Sequence, residues 1–188
     1  MIYDYFNKNG NQISQEEQIY SFGSDVRVHI VDTGDDTLTG GRIKKGLEYI
    51  EGDLTYLTYG DGISNVNLVK LYEFHKIHNP IVTLTAVRPP ARFGSLELKN
   101  EKVVAFNEKK QSNEGWINGG FFILNSKVKK YIENDNQAFE KEPLTNLSSE
   151  GELAAYKHYG LFRPVDTIRE LEILESELKE NEFNFSNG

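Results

Sequence analysis

The chain has no cysteine. No disulfide framework and no thiolate metal site can form within it, and a reducing compartment is compatible with that composition. Cations are in deficit, with 21 Lys and Arg against 29 Asp and Glu and a formal net charge of −8. That sign argues against a nucleic-acid backbone or an anionic membrane as partner. A small phosphorylated ligand is still compatible, because a few locally placed cations outweigh the global charge at short range. No apolar run reaches the roughly 18 residues a membrane helix needs, and Met1-Ile2-Tyr3-Asp4 does not read as a secretory start, so a cytoplasmic chain is expected. There is no internal repeat and no low-complexity tract. What is present is aromatic: 10 Tyr and 11 Phe in 188 residues. A chain of this length makes one domain with at most a small appendage, burying roughly 70% of its unfolded surface.

The stretch Leu54-Thr55-Tyr56-Leu57-Thr58-Tyr59 reads as a buried strand, being β-branched and aromatic, and it ends in Gly60-Asp61-Gly62. A carboxylate between glycines at the C-terminal end of a strand sits where open α/β sheets bind ligands. The glycines permit close approach of backbone and phosphate, and Asp61 offers oxygen to a hard divalent cation. The plainer reading is an Asp-Gly turn.

Residues 1–24 are polar and aperiodic, and are expected as a loosely attached arm or short hairpin. Asp25 to Val31 alternates and predicts a strand. The Gly-rich run Asp32 to Gly41 leads into a helix with Ile43, Leu47 and Ile50 on one face. Arg42 follows Gly40-Gly41, where helix N-terminal amides and a guanidinium suit an anion. A helix from about Asn67 to His78, capped by Ser64 or Asn65, should bury Leu68, Leu71 and Tyr72. Its His75 and His78 share no face with a carboxylate and read as ordinary last-turn residues. Ile81 to Val87 is strand-like, so the order β, α, β, α, β implies parallel pairing. Ser95 to Leu98 and Lys102 to Phe106 predict a hairpin. Trp116 to Leu124 predicts a buried strand whose Gly119 and Gly120 mark a bulge or close packing. Helices are expected after Ser126, over Pro143 to Glu150 and from Thr167 to about Glu180, with a strand at Leu153 to Lys157. This gives an arm at 1–24, a domain at 25–180 and a tail at 181–188.

Several of these blocks, taken together and in order, resemble the sugar-1-phosphate nucleotidyltransferase family, most closely its glucose-1-phosphate cytidylyltransferase branch. The residues that carry the resemblance are Val31-Asp32-Thr33-Gly34-Asp35, Thr39-Gly40-Gly41-Arg42, Thr58-Tyr59-Gly60-Asp61-Gly62, Arg92-Phe93-Gly94, Ile117-Asn118-Gly119-Gly120-Phe121-Phe122 and Pro164-Val165-Asp166-Thr167. The likeness runs from about Val28 to Leu174. It implies an α/β fold, the three-layer nucleotide-diphospho-sugar transferase (Rossmann-like) architecture with a mixed sheet. It also implies a reaction in which CTP and α-D-glucose 1-phosphate give CDP-glucose and pyrophosphate for dideoxyhexose and O-antigen lipopolysaccharide synthesis.

By the same resemblance Asp61 and Asp166 are the catalytic pair that holds Mg²⁺. Thr37, Thr39, Arg42 and Gly60 meet the nucleotide, and Glu108, Lys109, Asn118 and Gly119 meet the sugar phosphate. A homo-oligomer is implied as well. Read without the resemblance, Asp166 is a helix N-cap before Ile168, and Glu108-Lys109 is a solvated charge pair. Family members open with a strand and a Gly-rich loop, Gly-Gly-x-Gly-Thr-Arg, that holds the triphosphate, and this sequence contains neither. The expectation is therefore an incomplete domain lacking the N-terminal βαβ unit: a fragment, a piece completed in trans by an N-terminal fragment, or a degenerate copy. The alternative is a non-catalytic module for sugar-phosphate binding or oligomerisation.

Overall fold

The computed structural model describes residues 2–14, 18–22, 26–89, 95–107 and 115–179. Its contacts divide the chain into two compact units, Met1–Gly52 with Lys129–Asn146 and Asp53–Val128 with Leu147–Gly188.

In the first unit, helix α1 (Ile2–Asn9) precedes β1 (Asn11–Ser14), β2 (Ile19–Phe22) and β3 (Val26–His29), which form an antiparallel sheet in that order. Tyr20 anchors it: fully buried, it donates its hydroxyl hydrogen to Asn7 Oδ1 at 2.7 Å. The hairpin expected in the first residues is present between β1 and β2. Helix α1 was not foreseen, and it buries none of its residues. Strand β3 also departs from expectation. It pairs antiparallel with β2, Tyr20 opposite Val28, rather than entering a parallel sheet; alternation fixes which face is buried but not the partner.

Helix α2 (Thr39–Gly46) tightens into a 3₁₀ turn at Leu47–Tyr49. Ile43 and Leu47 are buried, whereas Ile50, expected on the same stripe, lies beyond the helical turns and is exposed. Gly40 and Gly41 let this helix lie against residues 135–137. A Cβ on Gly40 would stand 2.5 Å from the Gln137 carbonyl oxygen, and one on Gly41 2.7 Å from the Asp135 Cα.

The second unit is built on a four-stranded sheet. Its elements are β4 (Leu54–Thr58), β5 (Gly62–Ser64), α3 (Leu68–His78), β6 (Val82–Val87), the hairpin β7 (Ser95–Lys99) and β8 (Lys102–Asn107), and β9 (Ile117–Asn125). After a 3₁₀ segment at Ser126–Tyr131 and helix α4 (Glu142–Ser149), which runs across the boundary between the units' segments, come β10 (Leu153–Lys157), β11 (Phe162–Pro164) and α5 (Ile168–Lys179). The sheet order is β10-β6-β9-β4. Strand β10 runs parallel to β6, and β9 runs antiparallel to both β6 and β4. The α/β fold with a mixed sheet is thus observed, and β4, β6 and β10 all end on the same edge.

Val82, Phe122, Ile123 and Leu124 are at most 1% exposed and form the sheet's core, each worth roughly 1.5–3 kcal/mol of burial. The bulge read from Gly119-Gly120 is present, with a register slip between Leu84 and Ala86 opposite it and Gly120 at φ +74°. Helix α3 is capped by Asn67, whose side chain accepts the Lys70 N–H, rather than by Ser64 or Asn65. Its inward residues are Leu71 and His75; Leu68 and Tyr72 are 47% and 40% exposed, because the narrow contact with the sheet admits one stripe only. No helix among the described residues is long and apolar enough to cross a membrane.

Candidate functional site

The edge on which β4, β6 and β10 end collects the chemistry-bearing residues of the second unit. Strand β4 runs out through Tyr59 to Gly60 and Asp61. Asp61 is exposed, and a Cβ on Gly60 would meet nothing within 4 Å. The chain then turns into β5, which pairs antiparallel with β11 in the register Gly62–Pro164, Ile63–Arg163, Ser64–Phe162. One step further out, the Val165 N–H donates to the Asp61 carbonyl at 2.7 Å. This short ladder sets Asp61 opposite Val165, the residue before Asp166, although the two aspartates are distant in sequence. Strands of three residues carry no readable periodicity, so neither partner was visible in the sequence.

The local bonding decides what Asp166 does. Thr167 Oγ1 accepts the Glu170 N–H at 3.2 Å, while Glu170 Oε2 accepts the backbone N–H groups of Asp166 and Thr167, both at 2.9 Å. This is a reciprocal capping box with Thr167 as the cap of α5. The reading of Asp166 as an N-cap is therefore not realised. The Thr-x-x-Glu signature was present in the sequence and would have revealed it. Among the described residues, neither the Asp61 nor the Asp166 carboxylate is engaged in a hydrogen bond or ion pair. Strand β11 is tied to α5 by Arg163, which donates from Nε and Nη2 to the two Glu177 carboxylate oxygens at 3.1 and 2.8 Å.

Asn118 lies on β9 at the same edge. Its Oδ1 accepts the Gly120 N–H at 2.9 Å, and its amide nitrogen lies 3.5 Å from the Tyr59 hydroxyl. Gly119 is buried, and a Cβ there would stand 2.7 Å from Val87 Cγ1, so packing accounts for the glycine. His158 closes the loop after β10. Its Nε2 faces Asn65 Oδ1 at 3.0 Å and the Leu161 carbonyl at 3.3 Å. Both partners are acceptors, so the neutral ring carries its hydrogen on Nε2, and burial pushes its pKa down. His75, 1% exposed and 2.8 Å from Thr83 Oγ1, is held down by burial as well.

Thr37, Thr39 and Arg42 lie in the first unit. Arg42 donates to Thr33 Oγ1 and to the Asp35 carbonyl. Thr37 is buried and donates to the Thr33 carbonyl; Thr39 donates to Glu140 Oε2 at 2.7 Å and accepts the Phe139 N–H at 2.9 Å. Two amides at the start of α2, those of Leu38 and Gly40, are taken by the Asp135 and Gln137 carbonyls. Glu108 and Lys109 lie outside the described residues. No group of three or more His, Asp or Glu side chains suited to a metal occurs among the described residues. Two carboxylates alone suit Mg²⁺, which keeps waters and phosphate oxygens in its remaining positions.

Residues 9–159 match the family model described as nucleotidyl transferase. The chain belongs to that family. Glucose-1-phosphate cytidylyltransferase of Salmonella typhimurium is 45% identical over 149 residues, covering 79% of this chain and 58% of the relative. A probable glucose-1-phosphate cytidylyltransferase of Bacillus subtilis is 42% identical over 146 residues, 77% of this chain and 57% of the relative. The nucleotidyl transferase chain thus spans less than two thirds of the length of these relatives. Among solved structures, HddC from Yersinia pseudotuberculosis matches with a TM-score of 0.58 at 23% identity, over 77% of this chain and 64% of that one. A putative glucose-1-phosphate thymidylyltransferase from Bacillus anthracis matches at 0.55 and 16%, over 81% and 65%. Both likenesses concern the fold.

Proposed function

We propose that this nucleotidyl transferase chain carries the metal and sugar-phosphate side of a centre that moves a cytidylyl group from CTP to α-D-glucose 1-phosphate, giving CDP-glucose and pyrophosphate. Its setting would be the cytoplasm and its product a precursor of dideoxyhexoses in O-antigen lipopolysaccharide. The observation that supports this reading is the β5–β11 ladder, which sets Asp61 opposite Val165, the residue before Asp166, while Thr167 and Glu170 supply the helix cap in place of the Asp166 carboxylate. Mg²⁺ would be held by Asp61 and Asp166, and when bound it supplies neutralisation of phosphate charge.

The other work falls to the chain's residues, because two anions must be aligned and little covalent chemistry is asked of the protein. A phosphate oxygen of the sugar attacks the α-phosphorus of CTP, the new P–O bond forms, and the bond to pyrophosphate breaks in line. Asn118, its carbonyl oxygen fixed on Gly120, presents amide hydrogens for a sugar hydroxyl. Glu108 and Gly119 border the sugar, and Lys109 meets its phosphate as a point charge. Gly60 leaves the strand end open for the nucleotide. Within the first unit, Thr37 and Thr39 shape the loop that carries Arg42, whose guanidinium suits a nucleotide phosphate.

The test is Mg²⁺-dependent pyrophosphate release from CTP and glucose 1-phosphate. Asp61→Asn and Asp166→Asn should each cut it by at least about a hundredfold. Release that appears only after adding a separately produced N-terminal segment of a relative would mark a centre completed in trans. Saturable glucose 1-phosphate binding with no release under either condition would favour the binding-module reading.

A further inference from the structure

Strand β4 ends the four-stranded sheet and has a strand partner on one side only, β9. That pairing fixes which of its backbone groups are spent. The Ser126 N–H donates to the Asp53 carbonyl at 2.8 Å and the Tyr59 N–H to the Gly120 carbonyl at 3.0 Å, so Asp53, Thr55, Leu57 and Tyr59 turn their backbone groups towards β9. The N–H and C=O groups of Leu54, Tyr56 and Thr58 point away from the sheet. Among the described residues these groups have no backbone partner; the Tyr56 carbonyl is approached by the Thr55 hydroxyl at 3.4 Å.

The strand carries none of the usual guards of an edge. Leu54-Thr55-Tyr56-Leu57-Thr58 holds no charge, proline or glycine. A cavity of about 130 Å³ lies against it, lined by Tyr56, Leu57, Thr58, Leu68, Phe121 and Phe122. Tyr56 and Leu68 are 49% and 47% exposed there. Unspent backbone groups beside an apolar hollow suit an extended chain, whose own N–H and C=O groups continue the ladder while alternate side chains fill the hollow. Charge decides which chain. Asp53 and Asp61 lie just before and just after β4, both exposed and in no ion pair among the described residues. An antiparallel second copy of β4 centred on Leu57 would set Asp53 directly opposite Asp61, and one centred on Tyr56 would set them diagonally. Like charges so placed destabilise a strand pair. The fitting occupant is a different sequence, of opposite charge at its ends.

We propose that the free edge of β4 docks an extended segment of another polypeptide, apolar at alternate residues and carrying Lys or Arg at both ends. Cations at both ends suit either strand direction, because an acidic residue lies beyond each end of β4. The docking edge and its hollow belong wholly to the second unit. They require neither metal nor turnover, so the site stands apart from the proposed reaction.

The experiment titrates the full chain into a fluorescein-labelled peptide, Lys-Val-Thr-Val-Thr-Val-Lys, in EDTA and follows fluorescence anisotropy. Saturable binding is expected, and exchanging both lysines for glutamates should weaken it about tenfold at low salt. A docked strand turns only one alternate set of its amides to β4. N-methylation of that set should abolish binding, and N-methylation of the other set should leave it. Tyr56→Lys sets a cation at the hollow and should also weaken binding; the position is exposed, and circular dichroism checks the fold. No saturable binding, or the same effect from both methylated sets, would overturn strand docking. Equal affinity for the glutamate-ended peptide would overturn the charge assignment. Sedimentation equilibrium that shows a dimer of the chain alone, dissociated by Tyr56→Lys, would put a second copy on the edge and overturn the occupant. None of these readouts depends on pyrophosphate release, so the docking site and the proposed reaction fail separately.

Discussion

At the scale of single residues, Asp166 and Thr167 are neighbours with opposite duties. Thr167 holds the first turn of α5 through Glu170, and Asp166 leaves its carboxylate to the strand end. Thr167→Ala should therefore lower stability by about 1 kcal/mol, the usual worth of such a cap, with the Mg²⁺ requirement unchanged. Asp166→Asn should leave the melting temperature nearly unmoved and remove Mg²⁺-dependent activity. Equal destabilisation by both, in chemical denaturation, would return Asp166 to a structural role. Two histidines set a pH response. Burial lowers the pKa of both His75 and His158 below 6.5, their ordinary value. The unfolded chain then binds more protons than the folded one as pH falls through about 6.5, so stability is present above that value and lost below it. Thermal melts between about pH 7.5 and 5 should show the decline, and His158→Gln should flatten part of the slope.

At the scale of elements, the long strands were legible and the short ones were not. β6, β9 and β10 announced themselves because each buries several consecutive or alternating apolar residues, as Val82 to Val87 does. β5 and β11 are three residues each, and what defines them is their pairing. That pairing brings Asp61 opposite Val165, so the resemblance named Asp61 and Asp166 while the strand that links their segments stayed unread. The glycine pair on β9 was read correctly as a bulge under close packing, and it makes a sharp prediction. Gly119→Ala drives a methyl into Val87 and towards the Thr85 carbonyl, which should cost about 1–3 kcal/mol, the range for overpacking. Adding Val87→Ala should recover part of the loss if the clash is the cause, because contacting sites are not additive. No recovery in urea unfolding would place the strain in the backbone. The Arg163–Glu177 pair likewise links β11 to α5. Glu177→Gln should loosen that link and reduce pyrophosphate release with the substrate KM changed less than kcat, because the pair acts through the position of Asp166.

At the scale of the whole molecule, the proposed substrates are anions and the chain carries a net charge of −8. Long-range repulsion and the pull of cations beside a bound phosphate act over different distances. At about 0.01 M salt the screening length is near 30 Å and the global charge reaches an approaching phosphate; at about 0.1 M it falls to near 10 Å, and only nearby charges count. Raising salt over that interval should therefore first tighten glucose 1-phosphate binding, as repulsion is screened before the close contact is. Further salt should then weaken it, as the contact itself is screened. Calorimetric titration with glucose 1-phosphate across ionic strength checks this. A steady weakening from the lowest salt upward would mean that the field of the binding site outweighs the acidic surface at every distance. Charge composition, read from the sequence, gave the repulsive half of this balance. The attractive half would come from cations placed beside the bound phosphate, and composition does not locate those.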